Sequence, residues 1–485
     1  MKLFFTGHQE KYAVEQTMLT LFPQERPVYP EIPPGGDNEL ELTLTRGPVW
    51  ATAAAVLRRD GGTFRRQARV KTAALAGDDP VTATRLTRRT LQRAFYLAAV
   101  DALRTEPPWG MLSGVRPVKL PTRAMEEGAS PRQAEAMLRD QYRVSPLRRQ
   151  LAMDCAQASL QVKQSLQPSE LSLYVGIPFC PTRCAYCSFI SASGAANRLI
   201  PTYLDGLVQE IEAAGQGVRA AGKTIRSVYI GGGTPTTLNA DQLTQLLEAV
   251  QTAFDLAPGT EFTVEAGRPD TITREKLDAI RRGGGNRISV NPQTMSDSVL
   301  KAIGRSHRAE DIRRAYAIAR ESQAGAVNMD LIAGLPTDTV AGFQDTLTQV
   351  IQLAPENITV HTLALKRGAR LRQEETTLPD GRAVAQMLSF AWAALREAGY
   401  QPYYLYRQKF MSGSFENVGW CRPGFLSVYN ICMMEELHTV LSLGAGGVTK
   451  TIGGGCVRRQ ANPKYPQEYL RDLPRLMEEK RHFFV

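Results

Sequence analysis

No stretch of this 485-residue chain approaches the roughly 18 consecutive apolar residues that cross a bilayer. The opening segment, MKLFFTGHQEKYAVEQ, has only a brief apolar run before polar residues take over, unlike a secretory leader. Both absences predict a soluble, cytoplasmic protein that neither spans nor binds a membrane. Cysteine is scarce: seven residues, an odd number, which excludes a secreted disulfide framework. Short-period repeats are also missing. Hydrophobic residues at 43% and charged residues at 22% exclude collagen-like, low-complexity and coiled-coil classes. The length predicts two to three domains with room for a large enzyme core.

What is present is uneven. The net charge is +10, and residues 1–165 hold 24 basic against 17 acidic groups, while the remainder holds 34 against 31. A basic first third suits nucleic acid or a small molecule bearing several carboxylates; the plainer reading is a solvated Arg-rich surface. Three of the seven cysteines fall within eight residues, in Cys180-Pro-Thr-Arg-Cys184-Ala-Tyr-Cys187. Cys155, Cys421, Cys432 and Cys456 stand apart, and Cys155, Cys421 and Cys456 are expected to pack as ordinary thiols.

Residues 1–165 read as a basic α+β domain. LELTLTRG and TFRRQARVK have strand character, with a hairpin-type turn signal at Asp60-Gly61-Gly62, and VTATRLTRRTLQRAFYLAAVDAL has helical periodicity. Pro107 to Leu120 reads as ordered loop, and the stretch near Gln167-Pro168 as a linker. From Leu171 the pattern alternates. Six strand-like runs (LSLYVGI, SVYIG, EFTVEA, RISVN, VNMDLIAG and ITVHTLAL) are separated by helical ones, which predicts a parallel sheet of right-handed βαβ units over 166–395, curled into a full or partial barrel. A less regular region, 396–485, follows.

The cysteine loop directly follows the first of these strands. Three thiolates on a short loop can turn onto one soft metal centre, and in a cubane of four irons one iron is then left without a protein ligand. An open iron can hold a substrate or cofactor. Structural zinc is the alternative, but it wants a fourth ligand, and no nearby Cys or His supplies one. The ends of the other strands are polar: Gly231-Gly232-Gly233-Thr234-Pro235-Thr236, Glu265, Asn291-Pro292-Gln293, Asp330, and His361 to Ala364. In a parallel barrel these ends share the rim where active sites form. The glycines would let a ligand approach the backbone and would leave N–H groups free for it. Carboxylates, amides and a guanidinium there could grip a zwitterionic nucleoside. Taken singly, each has an ordinary explanation: Glu265 or Asp330 as a helix cap, the glycines as a tight turn. Their joint placement with the cysteines favours function.

These residues resemble the radical S-adenosylmethionine (SAM) superfamily, and within it the oxygen-independent coproporphyrinogen III oxidases and related haem chaperones. The likeness runs over about residues 170–450 and rests on Tyr174-Val-Gly-Ile-Pro-Phe-Cys180, the Cys-x3-Cys-x2-Cys loop, GGGTPT, Glu265, Gln293 with Arg305 in IGRSH, Asp330 in NMDLIAGLP, and LGAG at 443–446. The long N-terminal region matches the family's HemZ branch. The resemblance implies a partial (β/α)6 barrel of the TIM type, with the N-terminal α+β domain and an α/β C-terminal extension. It further implies a 4Fe-4S cluster on Cys180, Cys184 and Cys187, and S-adenosyl-L-methionine on the open iron. Tyr174, Tyr186, Gly232, Gly233, Thr234, Glu265, Gln293, Arg305, Asp330 and Ala364 match the family's cofactor-contact positions, with Tyr174 and Glu265 as candidate catalytic residues. The implied chemistry is cleavage of the cofactor to a 5′-deoxyadenosyl radical, which takes a β-hydrogen from a substrate propionate; loss of an electron and carbon dioxide then leaves a vinyl group. The implied partners are coproporphyrinogen III or a related tetrapyrrole and a reduced ferredoxin or flavodoxin-type donor. A monomer is expected.

Two departures qualify the resemblance. The oxidases proper carry a further cysteine where this chain has Phe189, which places the second cofactor site in question. The chaperones carry a His-Asn-x-x-Tyr-Trp segment where this chain reads Tyr429-Asn430-Ile431-Cys432-Met433-Met434. Cys432, Met433, Met434 and His438 are the soft residues left there for haem, although such residues usually fill cores. Haem carriage is therefore the alternative function. RNA modification, suggested only by the basic first third, ranks last because no stacking aromatic pattern accompanies the charge.

Overall fold

The structure is a computed structural model that describes the chain except residues 32–33, 77–78, 189–191, 366–368, 373–376, 409–414, 454–455 and 485. It divides into two compact units: Met1–Val115 with Glu127–Gln150, and Arg116–Glu126 with Leu151–Val485.

The first unit is built on four strands, β1 (Lys2–Thr6), β2 (Glu39–Arg46), β3 (Trp50–Arg59) and β4 (Gly62–Lys71), in that spatial order. β1 is parallel to β2, and the rest pair antiparallel. The Asp60-Gly61 signal forms a two-residue turn with φ of 50° and 72°, the left-handed pair that a tight hairpin requires. It joins β4 to β3, a strand that the sequence pattern does not announce. WATAAAVLRR is rich in alanine, which favours helix in isolation. Pairing on both edges overrides that preference, and Ala51, Ala53, Ala55 and Leu57 turn inward. Their small side chains receive the helix Pro80–Leu103, whose Leu91, Ala94, Phe95, Ala98 and Ala99 are buried in the same core. That helix starts as its sequence dictates, with Pro80 in the first turn and Asp79 accepting a hydrogen bond from the Val81 N–H. Several arginines of this unit are paired internally: Arg58 with Glu41, Arg59 with Glu25, Arg66 with Asp101 and Arg88 with Glu10.

The second unit holds β5 (Glu170–Ile177), β6 (Thr224–Gly232), β7 (Glu261–Glu265), β8 (Arg287–Ser289), β9 (Ala326–Ala333), β10 (Asn357–Thr362), β11 (Gln401–Arg407), β12 (Glu416–Cys421), β13 (Val440–Leu443), β14 (Val448–Gly453) and β15 (Cys456–Ala461). They form one sheet in the order β11-β12-β10-β9-β8-β7-β6-β5-β13-β14-β15. β5 to β10 are the six expected strands, neighbours in sequence order and parallel throughout, with helices such as Ile200–Ala220, Ala240–Phe254 and Val340–Leu353 between them. This is a partial (β/α)6 barrel. The tail that reads as irregular in sequence extends the sheet at both edges. β12 lies antiparallel on β10 and β11 on β12, while β13 returns parallel to β5 and carries β14 and β15. Short strands separated by turns leave too little periodicity to be read in advance.

The LGAG segment ties β13 to this sheet. The Gly444 N–H donates to Glu210 (2.7 Å), the Ala445 N–H to the Tyr203 hydroxyl (2.8 Å), and that hydroxyl donates to the Gly176 carbonyl. Gly444 has φ of 80°, and a Cβ there would lie 2.5 Å from the Gly176 oxygen, so only glycine fits. Among the described residues no helix is long and apolar enough to cross a membrane.

The two faces of the parallel sheet differ sharply. Leu173, Val175, Val228, Ile230, Val264, Ile288, Met329, Leu331, Ile358 and Val360 are buried on one face. The alternate positions, which point the other way, are Ser172 and Tyr174, Ser227 and Tyr229, Thr263 and Glu265, Ser289, Asn328 and Asp330, Thr359 and His361. A parallel sheet covered on both faces by packing alone reads as continuous aliphatic runs, and a barrel used only as a core is filled with branched hydrophobes. Here the interior is lined with hydroxyls, tyrosines, amides and carboxylates.

Candidate active site

The cysteine loop leaves the carboxyl end of β5 and is pinned by main chain on both sides. The Cys180 N–H donates to the Ala192 carbonyl (2.9 Å) and the Ala192 N–H to Pro178 (2.7 Å). Farther along, the Ala185 N–H donates to Ile303 (3.0 Å), and the Ala185 carbonyl accepts from Leu371 (3.1 Å). Phe179 is fully buried and meets the Tyr203 ring edge-on at 5.2 Å, anchoring the loop's start. Cys180, Cys184 and Cys187 are thus all presented, half-buried, from a fixed backbone. They do not converge on one point: among the described residues no three Cys, His, Asp or Glu side chains gather closely enough to hold a single ion. Phe189, the position of the oxidases' further cysteine, lies outside the described residues.

Beside the loop runs the glycine segment at the end of β6. A Cβ on Gly233 would stand 2.4 Å from the Phe179 carbonyl oxygen, and one on Gly231 would stand 3.0 Å from Glu265 Cδ. Gly232 has φ of 113°, and a Cβ there would meet the Tyr174 hydroxyl at 3.3 Å. The backbone of Ile177 and Phe179 and the side chains of Tyr174, Tyr229 and Glu265 already occupy the space a side chain here would need, so the segment packs tightly against them. One expectation fails: its N–H groups are not all free for a ligand. Gly233 donates to Ile177 (2.8 Å) and Thr234 to Phe179 (2.7 Å), because the turn must satisfy its own buried backbone. What the glycines provide is close approach. The Thr234 hydroxyl lies 3.5 Å from the Cys180 sulfur.

Glu265 closes β7 and accepts a hydrogen bond from the Tyr229 hydroxyl at 2.6 Å. Burial pushes its carboxyl up to about 7, the neighbouring Asp330 charge adds to the rise, and the Tyr229 bond opposes it. Tyr229 is sandwiched between Tyr174 (ring centroids 6.4 Å apart) and Tyr429 (4.5 Å), each nearly parallel to it. Burial raises the Tyr174 hydroxyl, which stays protonated. Asp330, two strands along from Glu265, behaves oppositely. Burial pulls its carboxyl upward, but His361, Asn328 and Thr359 outweigh that and hold it below the usual range. Asn328 donates to it at 2.7 Å, and His361 Nε2 lies 3.8 Å away. Neither Glu265 nor Asp330 caps a helix; Thr273 and Thr339 do that work for the helices that follow.

Gln293 sits in the left-handed region, φ 66°, with its N–H on the Asp330 carbonyl (2.9 Å) and its carbonyl accepting from Ile332 (3.0 Å). Its strained backbone is thereby stitched to β9. Arg305 donates to the Gly267 carbonyl (3.1 Å) and to the Tyr186 hydroxyl (2.9 Å), while its Nε is buried with no hydrogen-bond partner among the described residues. Ala364 lies two residues beyond β10. The structure therefore joins Tyr174, Gly232 and Glu265 in one group, Tyr186 with Arg305 in a second, and Gln293 with Asp330 through backbone in a third.

Several residues at the site escape the sequence reading. Tyr229 is signalled only by standing two positions before Gly231 on the same strand face. Arg268 and Asp270, in the turn after β7, read as an ordinary Arg-Pro-Asp turn. The buried His307 of IGRSH has no hydrogen-bond partner on either ring nitrogen among the described residues, and burial pushes it down to about 4. The soft residues considered for haem are occupied elsewhere. Cys432 is buried with Val162, Tyr403, Tyr404 and Cys421, and Met434 packs against that cluster. Lys450 Nζ lies 2.8 Å from Met433 Sδ, and His438 bonds to the Ser172 hydroxyl at 2.7 Å. Cys155 and Cys421 are buried thiols as expected, whereas Cys456, on edge strand β15, is exposed.

The residues present fit a cluster with S-adenosylmethionine. Three thiols stand on a fixed loop, and the Arg305 Nε and the hydroxyls of Thr263 and Ser289 are buried without a hydrogen-bond partner among the described residues.

Residues 174–350 match the Radical SAM superfamily model. Over 381 residues the chain is 40% identical to the oxygen-independent coproporphyrinogen-III oxidase-like protein HemZ of Bacillus subtilis, covering 77% of this chain and 76% of that protein. It is 30% identical to the heme chaperone HemW of Haemophilus influenzae, over 62% of this chain and 76% of that protein. Among solved structures, coproporphyrinogen III oxidase (HemN) from Escherichia coli superposes with a TM-score of 0.53 at 26% identity, over 66% of this chain and 73% of that one.

Proposed function

The chain belongs to the oxygen-independent coproporphyrinogen-III oxidase-like family of radical SAM proteins, whose cofactors are a 4Fe-4S cluster and S-adenosylmethionine, and on that premise we propose that it oxidatively decarboxylates propionates of coproporphyrinogen III or a close tetrapyrrole in the cytoplasm. The observation that carries this reading is the polar inner face of β5 to β10, which opens at the cysteine loop. A packed core has no use for Tyr174, Tyr229, Glu265, Asp330 and His361 on one wall.

When bound, the cofactor pair supplies a carbon radical able to take a hydrogen atom from an unactivated position. The protein's own tasks are distinct from that. Cys180, Cys184 and Cys187 would hold three irons, and the glycine segment, packed on Phe179, would keep the Thr234 hydroxyl beside Cys180. Glu265, fixed by Tyr229, offers carboxylate oxygens to ribose hydroxyls, and Arg305, fixed by Tyr186 and Gly267, offers its free N–H to a carboxylate. On the substrate, the β-hydrogen leaves as an atom, one electron passes to an external acceptor, and carbon dioxide departs, so each propionate becomes a vinyl group.

Haem carriage is the second reading, favoured by the identity with HemW. The burial of Cys432 and the engagement of Met433 and His438 speak against those residues as haem ligands. Anaerobic incubation of reconstituted protein with reductant, S-adenosylmethionine and coproporphyrinogen III separates the two. The oxidase reading expects vinyl-bearing product by mass spectrometry. Cofactor cleavage without substrate conversion, joined to a Soret shift on haem titration, would transfer the assignment to the carrier.

A further inference from the structure

Arg268 stands three residues beyond β7 and is 3% exposed. A guanidinium rarely goes so deep without a task for each nitrogen. Nε and Nη2 each donate to one oxygen of Asp270 at 3.1 Å, a bidentate fork that fixes the plane of the group. Nη1 is thereby aimed at the cysteine loop. It donates to the Thr182 carbonyl at 3.1 Å and lies 3.8 Å from the Cys184 sulfur, within N–H···S range. Thr182 and Arg183 are exposed, so the segment between Cys180 and Cys184 has solvent on one side and this buried cation on the other.

We propose that Arg268, locked by Asp270, is a positioning residue for the iron-sulfur centre, holding the Cys184 corner in place and setting the cluster's reduction potential through its N–H to the Cys184 sulfur. The inference rests on Cys184 being a cluster ligand. Hydrogen bonds to ligating sulfurs and the local net charge are the levers by which a protein moves a cluster's potential. A cation donating to a thiolate stabilises the reduced, more negative cluster and so raises the potential. Lysine retains the charge but not the fork, since its single ammonium cannot hold Asp270, Thr182 and the sulfur in one plane.

The test uses full-length Arg268→Met, Arg268→Lys and Asp270→Asn, reconstituted anaerobically beside wild type and Cys184→Ala. Iron content is measured, and the midpoint potential is read by an EPR-monitored titration with dithionite and mediators. Arg268→Met is expected to load a cluster whose potential moves to more negative values, with Arg268→Lys and Asp270→Asn displaced in the same direction by less. Wild-type potentials in every variant that loads would overturn the proposal. If Arg268→Met loses its cluster, the two milder variants decide. If all three lose it while circular dichroism remains native, the holding role stands. A full cluster in Cys184→Ala would instead remove the ligand assignment, an outcome separate from the behaviour of Arg268.

Discussion

In the four-stranded sheet the inward residues of β3 are Ala51, Ala53, Ala55 and Leu57, packed against Leu91, Phe95 and Ala98, whereas the eleven-stranded sheet places Ser172, Ser227, Thr263, Ser289 and Thr359 at interior positions. The first arrangement is what stability alone demands, because each buried methyl gains free energy and no polar atom needs a partner. The second keeps hydroxyls that must find partners or be left orphaned, as the Thr263 and Ser289 oxygens are among the described residues. Polar lining costs stability wherever it is not used, and here it is concentrated on one face of β5 to β10. The first unit is then scaffold on its inner side, with its basic character carried by arginines that are in several cases already paired.

This contrast can be broken by experiment. The largest effect is expected in the apolar core: Phe95→Ala removes a ring with no exposed surface that stacks on Phe22, and should cost about 3–5 kcal/mol in chemical denaturation. Iron content per folded chain should not change. A loss of iron in proportion to stability would show that the two regions are not distinct in role. A smaller effect is expected on the polar face. Glu265 titrates at about 7 in the fold against 4.5 as its ordinary value, so the folded chain holds its proton more tightly than the unfolded one. The stability it contributes is full below pH about 4.5, declines as pH rises, and is gone above about 7, a swing of up to roughly 3 kcal/mol. Glu265→Gln has no proton to lose. The variant should therefore match wild type in melting temperature near pH 4.5 and exceed it near pH 8, and equal melting temperatures at both pH values would refute the buried, proton-holding carboxyl.

Much of the second unit is legible in the sequence because its strands alternate. In LSLYVGI and SVYIG serine and tyrosine alternate with aliphatic residues, and the cysteine spacing is specific enough to locate the loop. The alanine-rich β3 is not legible, since its identity as a strand comes from neighbours on both edges. The engaged N–H groups of Gly233 and Thr234 depend on where Ile177 and Phe179 turn, which no local pattern encodes. Arg268 escapes for the same reason: its worth lies in Thr182 and Cys184, more than eighty residues away along the chain.

The central claim is that three thiols hold a cluster and leave one iron open for S-adenosylmethionine. EPR of the anaerobically reconstituted, dithionite-reduced protein, with and without S-adenosylmethionine, tests it most directly alongside metal analysis. The expected result is about four irons per chain and a cluster signal that changes when the cofactor is added. Tightly held zinc, or a fully assembled cluster whose signal ignores the cofactor, would contradict it.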